Sequence, residues 1–500
     1  MKYRNPVIPG FYPDPSICRA GDTFYLVTSS FQFFPGVPLF ESKDLLNWTQ
    51  IGHVLTRESQ LPLGTADSTG GIYAPTIRCN NGRFYMVTTN VSIGGNFFVW
   101  TDDIHGEWSE PIYVEQDGID PSLYFEDGKA YFMSNGTDDE GVHGIVQCEI
   151  DIETGKKLSP VKCIWQGTGG RFLESPHLYH IGKYYYLMAS EGGTEYGHMV
   201  VYARGESIYG PFMSYAQNPV LTNRNLGGYL LQGCGHADLV DDAQGNWWMV
   251  HLGFRQIGEW VMHHTTGREV NLALVTFGDD GWFTAGIEGT NRLTVETDRL
   301  PQIEQRPLPV RTFENTKVGR EWVFMKNPDM RYYDLSSDGC KLRSNGVSLS
   351  DPQAAPTFLG IRQQEMNMTL TVSVDVPEGE AGVTCYMTPD QHYEVAARRT
   401  AEGIEVFRRI TIGDISVEFN RTALCAGNVT LGIKVTNYTY AFYAIQDDRK
   451  YSLGCGQAKF LSTEVAGNFT GVLFGLYAGG MESDEFASFM DFTLRSNEQY

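Results

Sequence analysis

The chain contains no run of eighteen apolar residues, so no part of it reads as a helix crossing a bilayer. It is short of positive charge: 38 Lys and Arg stand against 60 Asp and Glu, a net charge of −22. A surface of that sign repels polyanions. It argues against nucleic acid as a partner and disfavours anionic lipid and polyuronic acid ligands. A neutral ligand such as a sugar meets no such penalty, and much of the charge serves solubility. Cysteine is sparse as well, nine in 500 residues, odd in number and without a tight pairing pattern. That reads as reduced, buried thiols rather than a disulfide framework. The opening Met1-Lys2-Tyr3-Arg4-Asn5-Pro6 lacks the apolar stretch of a secretory signal, so a cytoplasmic location is expected unless a leader has been trimmed away. A phosphate loop, a nucleophile elbow and a dinucleotide fingerprint are all missing too.

What is abundant points to strands and turns. Aromatics make up 13% of the residues and there are 55 glycines. One phrase, a polar-Pro-polar-apolar step followed by a Gly turn and an aromatic-rich strand, occurs five times in the first 250 residues. It begins at Asp14-Pro15-Ser16-Ile17, Ala74-Pro75-Thr76-Ile77, Asp120-Pro121-Ser122-Leu123, Ser175-Pro176-His177-Leu178 and, without its proline, His236-Ala237-Asp238-Leu239. The copies start 60, 46, 55 and 61 residues apart. A period of this size with several short strands in each unit predicts a β-propeller of five blades.

Five hundred residues exceed what one core usually organises. The repeat fades before a proline-punctuated stretch around Pro301-Gln302-Ile303-Glu304-Gln305-Arg306-Pro307-Leu308-Pro309. Beyond it, segments such as Met368-Thr369-Leu370-Thr371-Val372-Ser373-Val374 alternate like half-buried antiparallel strands. The expected fold is therefore all-β: a propeller over 1–300, a linker over 301–315 and a β-sandwich over 316–500. The sandwich would bind ligand, brace the first domain or serve assembly, and the sequence does not separate these.

Three acids stand at or beside the repeat's first position: Asp14, Asp120 and Glu174, spread over 160 residues. Taken singly, Asp-Pro is a common turn opener. Taken together, equivalent positions of the blades surround one axis, so the three should meet there. Like charges facing one cavity repel, and a purely structural chain has reason to avoid the arrangement. Glycosidic hydrolysis requires it: one carboxylic acid protonates the leaving oxygen, and one carboxylate attacks or activates water. A third carboxylate would hold the acid's proton on by raising its pKa, and the set would titrate as coupled groups.

Asn5-Pro6-Val7-Ile8-Pro9-Gly10-Phe11-Tyr12-Pro13-Asp14-Pro15-Ser16, Gly71-Ile72-Tyr73-Ala74-Pro75-Thr76-Ile77-Arg78, Gly118-Ile119-Asp120-Pro121-Ser122-Leu123, Glu174-Ser175-Pro176-His177-Leu178-Tyr179 and Glu191-Gly192-Gly193-Thr194-Glu195-Tyr196-Gly197-His198 follow one another in a familiar order. With Gly235-His236-Ala237-Asp238-Leu239-Val240 they resemble glycoside hydrolase family 43 over residues 5 to 290. The second half resembles, more weakly, the sandwich of that family's β-xylosidases and α-L-arabinofuranosidases. The resemblance implies hydrolysis with inversion, Asp14 as the base that activates water, Glu174 as the acid and Asp120 as its tuning neighbour. An inverting pair would stand roughly 6.5–9.5 Å apart.

The resemblance also implies substrate-binding roles for Phe31, Tyr73, Arg268 and His236. Tyr73 replaces the tryptophan of many relatives, and Leu274 stands where many have proline. No cofactor is expected. A structural calcium near His236, as in some relatives, is the alternative, although calcium prefers oxygen ligands to a neutral imidazole. The expected function is exo-acting release of terminal β-D-xylose or α-L-arabinofuranose from neutral hemicellulose-derived oligosaccharides. An endo-arabinanase, a non-catalytic glycan-binding propeller and a retaining fructose-releasing enzyme remain alternatives.

Overall fold

The computed structural model describes residues 1–258, 260–337 and 339–498. The first 285 residues build five four-stranded antiparallel sheets arranged as the blades of a propeller. The innermost strands are Ser16–Ala20, Thr76–Asn80, Ile119–Glu126, Glu174–Ile181 and Leu231–Asp241, one from each copy of the repeated phrase.

The aromatic second strands are apolar on both faces because each blade is covered by a neighbour on either side. In Thr23–Val27, Tyr25 and Val27 enter a core with Ile77, Phe84 and Met86 of the next blade. Phe24 and Leu26, on the opposite face, meet Trp248 and Val250 of the last blade. The alternation recurs around the ring: Phe132 packs with Tyr85 and Val87, and Met133 with Leu187 and Ala189. Full burial of each such side chain contributes about 1.5–3 kcal/mol, so the blades adhere through ordinary strand periodicity.

Polar contacts close the ring around the axis. Asp238 of the fifth blade, fully buried, pairs with Arg78 of the second at 2.7 Å. It also accepts hydrogen bonds from Ser16 Oγ of the first (2.6 Å) and Tyr179 OH of the fourth (2.5 Å). The amino-terminal strand Lys2–Arg4 pairs with Thr294–Glu296 and fastens the chain's start to the end of the propeller.

Among the described residues the second half supplies eight strands to one sheet and seven to another, packed around one apolar core. Arg311–Thr312, inside the stretch read as linker, already pairs with Leu494 and Thr493 of the first sheet. The other sheet is completed from the propeller: Phe33–Phe34 of the first blade forms its edge strand against Val323–Met325. All nine cysteines are free, but Cys425 and Cys455 are exposed and Cys79 and Cys163 half-buried, so burial is not their common feature. The sequence pattern marks apolar faces, and these four fall at or beyond their edges.

Candidate active site

At the first position of the repeated phrase, four of the five blades place a residue in the left-handed region. Asp14 has φ 57°, Asp120 54°, Ser175 61° and His236 46°. For an L-residue this conformation costs roughly 1–2 kcal/mol, with Asp among the more tolerant types. Three of these positions coincide with register shifts, between Ile119 and Ser122, Glu174 and His177, and Gly235 and Ala237. Such bulges re-aim side chains at the end of a strand. In the fourth blade the left-handed residue is Ser175, and Glu174 precedes it, still paired with Ser190. The one-residue offset brings Glu174 to the same recess along a different path.

That recess is lined by Asp14, Asp120, Glu174, Phe31, Tyr73, Arg268 and His236, together with Ala74, Ile119, Thr194 and Phe469. A separate cavity, where the amino-terminal strand meets the proline-rich stretch, contains none of the three acids. All seven residues singled out from the sequence therefore surround one small space. Thr194 and His198 went unassigned although both stand in the Glu191–His198 motif. Phe469 belongs to the sandwich, in a stretch with no sequence signal that connects it to the propeller.

Asp14 is the most firmly held. It accepts a 2.7 Å hydrogen bond from Arg268 Nη1 and one of 2.5 Å from Ser29 Oγ, with His236 Nδ1 3.6 Å away. Burial pushes its carboxyl up, but Arg268, His236, Ser29 and His198 together outweigh burial and hold it below the ordinary range. Glu269, the next residue in the chain, is taken by Arg255 at 2.8 Å. Arg268 also donates to Thr194 Oγ1 at 2.9 Å, while its Nη2 is buried without a partner. Its guanidinium lies 4.9 Å from the Phe469 ring centre and 5.8 Å from that of Phe31.

Asp120 and Glu174 behave in the opposite way. Burial raises Asp120 to about 7, with repulsion from Glu174 and Asp14 adding to it against a downward pull from His236. Burial raises Glu174 to about 7 as well, reinforced by Asp14 and opposed by His236 and Arg268. Coulomb repulsion is mutual, so these two carboxyls share protons as a pair. Asp120 accepts the Ser175 amide at 3.2 Å, which ties it to the strand carrying Glu174. Glu174 has His198 Nε2 3.4 Å from Oε1. One carboxylate kept ionised beside another kept protonated is the equipment of acid–base catalysis.

His236 donates its amide to Ser190 Oγ at 2.7 Å and faces Asp14 with its ring. Calcium takes six to eight oxygen ligands. Among the described residues no group of three or more His, Cys, Asp or Glu side chains is placed to hold a metal, and Asp14 is already engaged by Arg268. The donor set around His236 does not fit a calcium ion held by protein side chains.

Aromatic rings from both domains wall the recess. Phe31 stacks between Phe11 and Phe469, with ring centres 5.5 Å from each, and Tyr73 meets Phe469 edge-on at 5.4 Å. The Phe469 segment is fastened at both ends, Thr463 N donating to His264 O (3.2 Å) and Val472 N to Thr265 O (2.9 Å). Glu464 adds 2.7 Å contacts to His264 Nδ1 and Tyr196 OH.

A ring of five blades with this carboxyl set on its axis defines a glycoside hydrolase. Residues 3–283 match the model of the glycosyl hydrolases family 43, and residues 310–495 that of the β-xylosidase C-terminal concanavalin A-like domain. The chain belongs to family 43. It is 39% identical to a non-reducing end α-L-arabinofuranosidase of Bacteroides ovatus, over 96% of this chain and 91% of that protein. With a xylosidase/arabinosidase of Butyrivibrio fibrisolvens it shares 37% identity across 98% of each. Among solved structures, a family 43 protein from a Bacteroides ovatus xyloglucan locus superposes with a TM-score of 0.92 at 37% identity, covering 99% of this chain and 100% of that one. A xylan β-1,4-xylosidase of Bacillus halodurans gives 0.91 at 30%, with the same coverage.

Proposed function

We propose that the protein is an inverting, exo-acting pentosidase that removes terminal β-D-xylose and α-L-arabinofuranose from hemicellulose-derived oligosaccharides. The observation that carries this reading is the recess itself. Three carboxyls converge in one small recess whose wall includes Phe469 of the sandwich, an arrangement that favours a pocket for a terminal sugar over an open groove for a polymer. Relatives bearing both xylosidase and arabinosidase names support a pocket that accepts either pentose.

In this reading Glu174 donates its proton to the glycosidic oxygen as the bond from that oxygen to the anomeric carbon breaks. Asp14 removes a proton from the water that attacks the opposite face of the same carbon. The released sugar carries inverted configuration, Asp14 gives up its proton to solvent and Glu174 regains one from it. Asp120 keeps Glu174 protonated, and the unpartnered Nη2 of Arg268 meets a sugar hydroxyl. The proton transfers in this scheme are carried by side chains alone, so a chelator should leave the rate unchanged.

Asp14→Asn and Glu174→Gln should each lower kcat by about 10²–10⁴-fold on nitrophenyl β-D-xyloside and α-L-arabinofuranoside, with folding intact by circular dichroism. Near-normal turnover by either variant would refute the assignment. Proton NMR of the first-formed anomer reads inversion directly. Monomer rather than oligomers released from linear arabinan separates this function from an endo-arabinanase.

A further inference from the structure

The loop that leads into Glu174 carries a side chain that no packing requirement explains. Phe172, two residues before the acid, is 62% exposed. Its backbone is left-handed, φ 54°, a conformation unfavourable by roughly 1–2 kcal/mol for a residue with neither Gly's freedom nor Asp's local hydrogen bonds. An exposed aromatic at a strained position in a loose loop would be unremarkable. This loop is not loose.

Its anchor is the Glu191–His198 motif. Glu191, fully buried, accepts hydrogen bonds from Thr168 N (2.6 Å), Thr168 Oγ1 (2.5 Å) and Gly170 N (3.2 Å). Arg171 exchanges backbone and side-chain bonds with Gly192: Gly192 N donates to Arg171 O at 2.8 Å, and Arg171 Nε to Gly192 O at 3.0 Å. Arg171 also forms an ion pair with Glu195. The Phe172 ring lies against Gly193, where an added Cβ would come within 3.0 Å of its Cδ2 and where φ is 79°. The next residue, Thr194, lines the catalytic recess. Phe172 is thus an exposed aromatic held between two residues of the recess, two positions before Glu174 and against the neighbour of Thr194, with the Arg171 guanidinium 5.3 Å from its ring centre.

We propose that Phe172 is the platform for the departing sugar, stacking on the ring whose oxygen Glu174 protonates. This rests on the pentosidase reading, which places the leaving group on the acid's side. The ligand is a neutral pyranose ring, which presents C–H groups to the aromatic face. Because the platform is held before binding, little side-chain freedom is lost when the sugar arrives. Phe172 does not touch the terminal sugar in the recess, so it selects what is attached to that sugar rather than the sugar itself.

The test compares Phe172→Ala and Phe172→Tyr with the unaltered chain on xylobiose and on methyl β-D-xyloside, which has the same terminal sugar but no departing ring. Phe172→Ala should lower kcat/KM on xylobiose by about five- to tenfold, a stacking contribution near 1 kcal/mol, and leave the methyl glycoside unchanged. Phe172→Tyr should retain the xylobiose rate. Unchanged methyl xyloside turnover also shows that the variant is folded. No loss on xylobiose, or an equal loss on both substrates, would overturn the platform while leaving the pentosidase reading standing. An unaltered chain inactive on both would overturn the two together.

Discussion

Asp14, Asp120 and Glu174 are all buried carboxyls in one recess, yet their surroundings drive them to different protonation states. The difference lies in Arg268, which bonds Asp14 and neither of the others. Because Asp14 stays ionised below the ordinary carboxylate range and Glu174 keeps its proton to about 7, kcat/KM should be level across mildly acidic pH and fall as pH rises through about 7. Asp120→Asn removes one of the repelling charges, so this alkaline limb should move to lower pH, a shift that pH–rate profiles resolve. Stability also falls as pH rises. Folding raises the pKa of Asp120, so the native state binds more protons than the unfolded chain, and stability declines as pH climbs from about 4 towards 7. The same Asp120→Asn variant should therefore melt higher at pH 7 and little differently at pH 4.

The innermost strands carry a division of labour along their length. In four of the five, the first residue of the repeated phrase bends into the left-handed region, and Asp14, Asp120, Glu174 and His236 reach the recess. Two residues further on, at Ser16, His177 and Asp238, and at Arg78 four residues into the second copy, the same strands supply a buried network that holds the ring together. Burial works against the Asp238 charge, but Arg78, His177 and Ser16 outweigh it and hold its pKa well below the ordinary value. Its contribution to stability is accordingly present above about pH 4 and is lost as pH falls towards the depressed folded value. Asp238→Ala strands the Arg78 guanidinium and should cost about 3–5 kcal/mol, seen as a large drop in melting temperature. A second sensitive element is the turn at Gly267, φ 72°, where an added Cβ would lie 2.6 Å from both Phe11 Cδ2 and Thr470 O. Gly267→Ala should displace Arg268 and Phe469 together and lower kcat/KM by tenfold or more, about 1.4 kcal/mol per decade, with the propeller's circular dichroism retained.

Across the molecule the propeller and sandwich form one continuous body. Phe33–Phe34 completes a sandwich sheet, Phe11, Phe31 and Phe33 share a core with Phe358, Tyr386 and Phe407, and buried Arg362 donates to Phe11 O at 2.8 Å. A chain ending at residue 300 would expose that aromatic patch and leave the recess without Phe469. It should aggregate on size-exclusion chromatography and lack pentosidase activity. In the full-length protein Phe469→Ala probes the pocket wall alone. Removing the ring that stacks on Phe31 and covers Arg268 should lower kcat/KM on nitrophenyl pentosides by about tenfold, or 1.4 kcal/mol, while the protein remains monodisperse.

The propeller was legible because blade strands are local. Each phrase from Asp14 to His236 encodes its own turn and doubly buried strand within about 20 residues, three of the five with a bulge, and the period repeats. The acids were legible for the same reason: five-fold repetition converts sequence position into position around an axis, so residues 160 apart in the chain are neighbours by construction. The sandwich showed itself only as alternation, which marks one buried face and not what that face meets. Thr194, His198 and Phe469 depended on contacts between segments that share no period, and Phe172 on a loop pinned by Glu191 from the strand beyond. Which carboxyl keeps its proton was likewise unreadable along the chain, because it is set by burial and by the direction of one arginine. Local periodicity therefore carries the ring and its three acids. The closed pocket, its charge states and its second domain's share arise from long-range packing, which brings together side chains whose spacing in sequence holds no repeat.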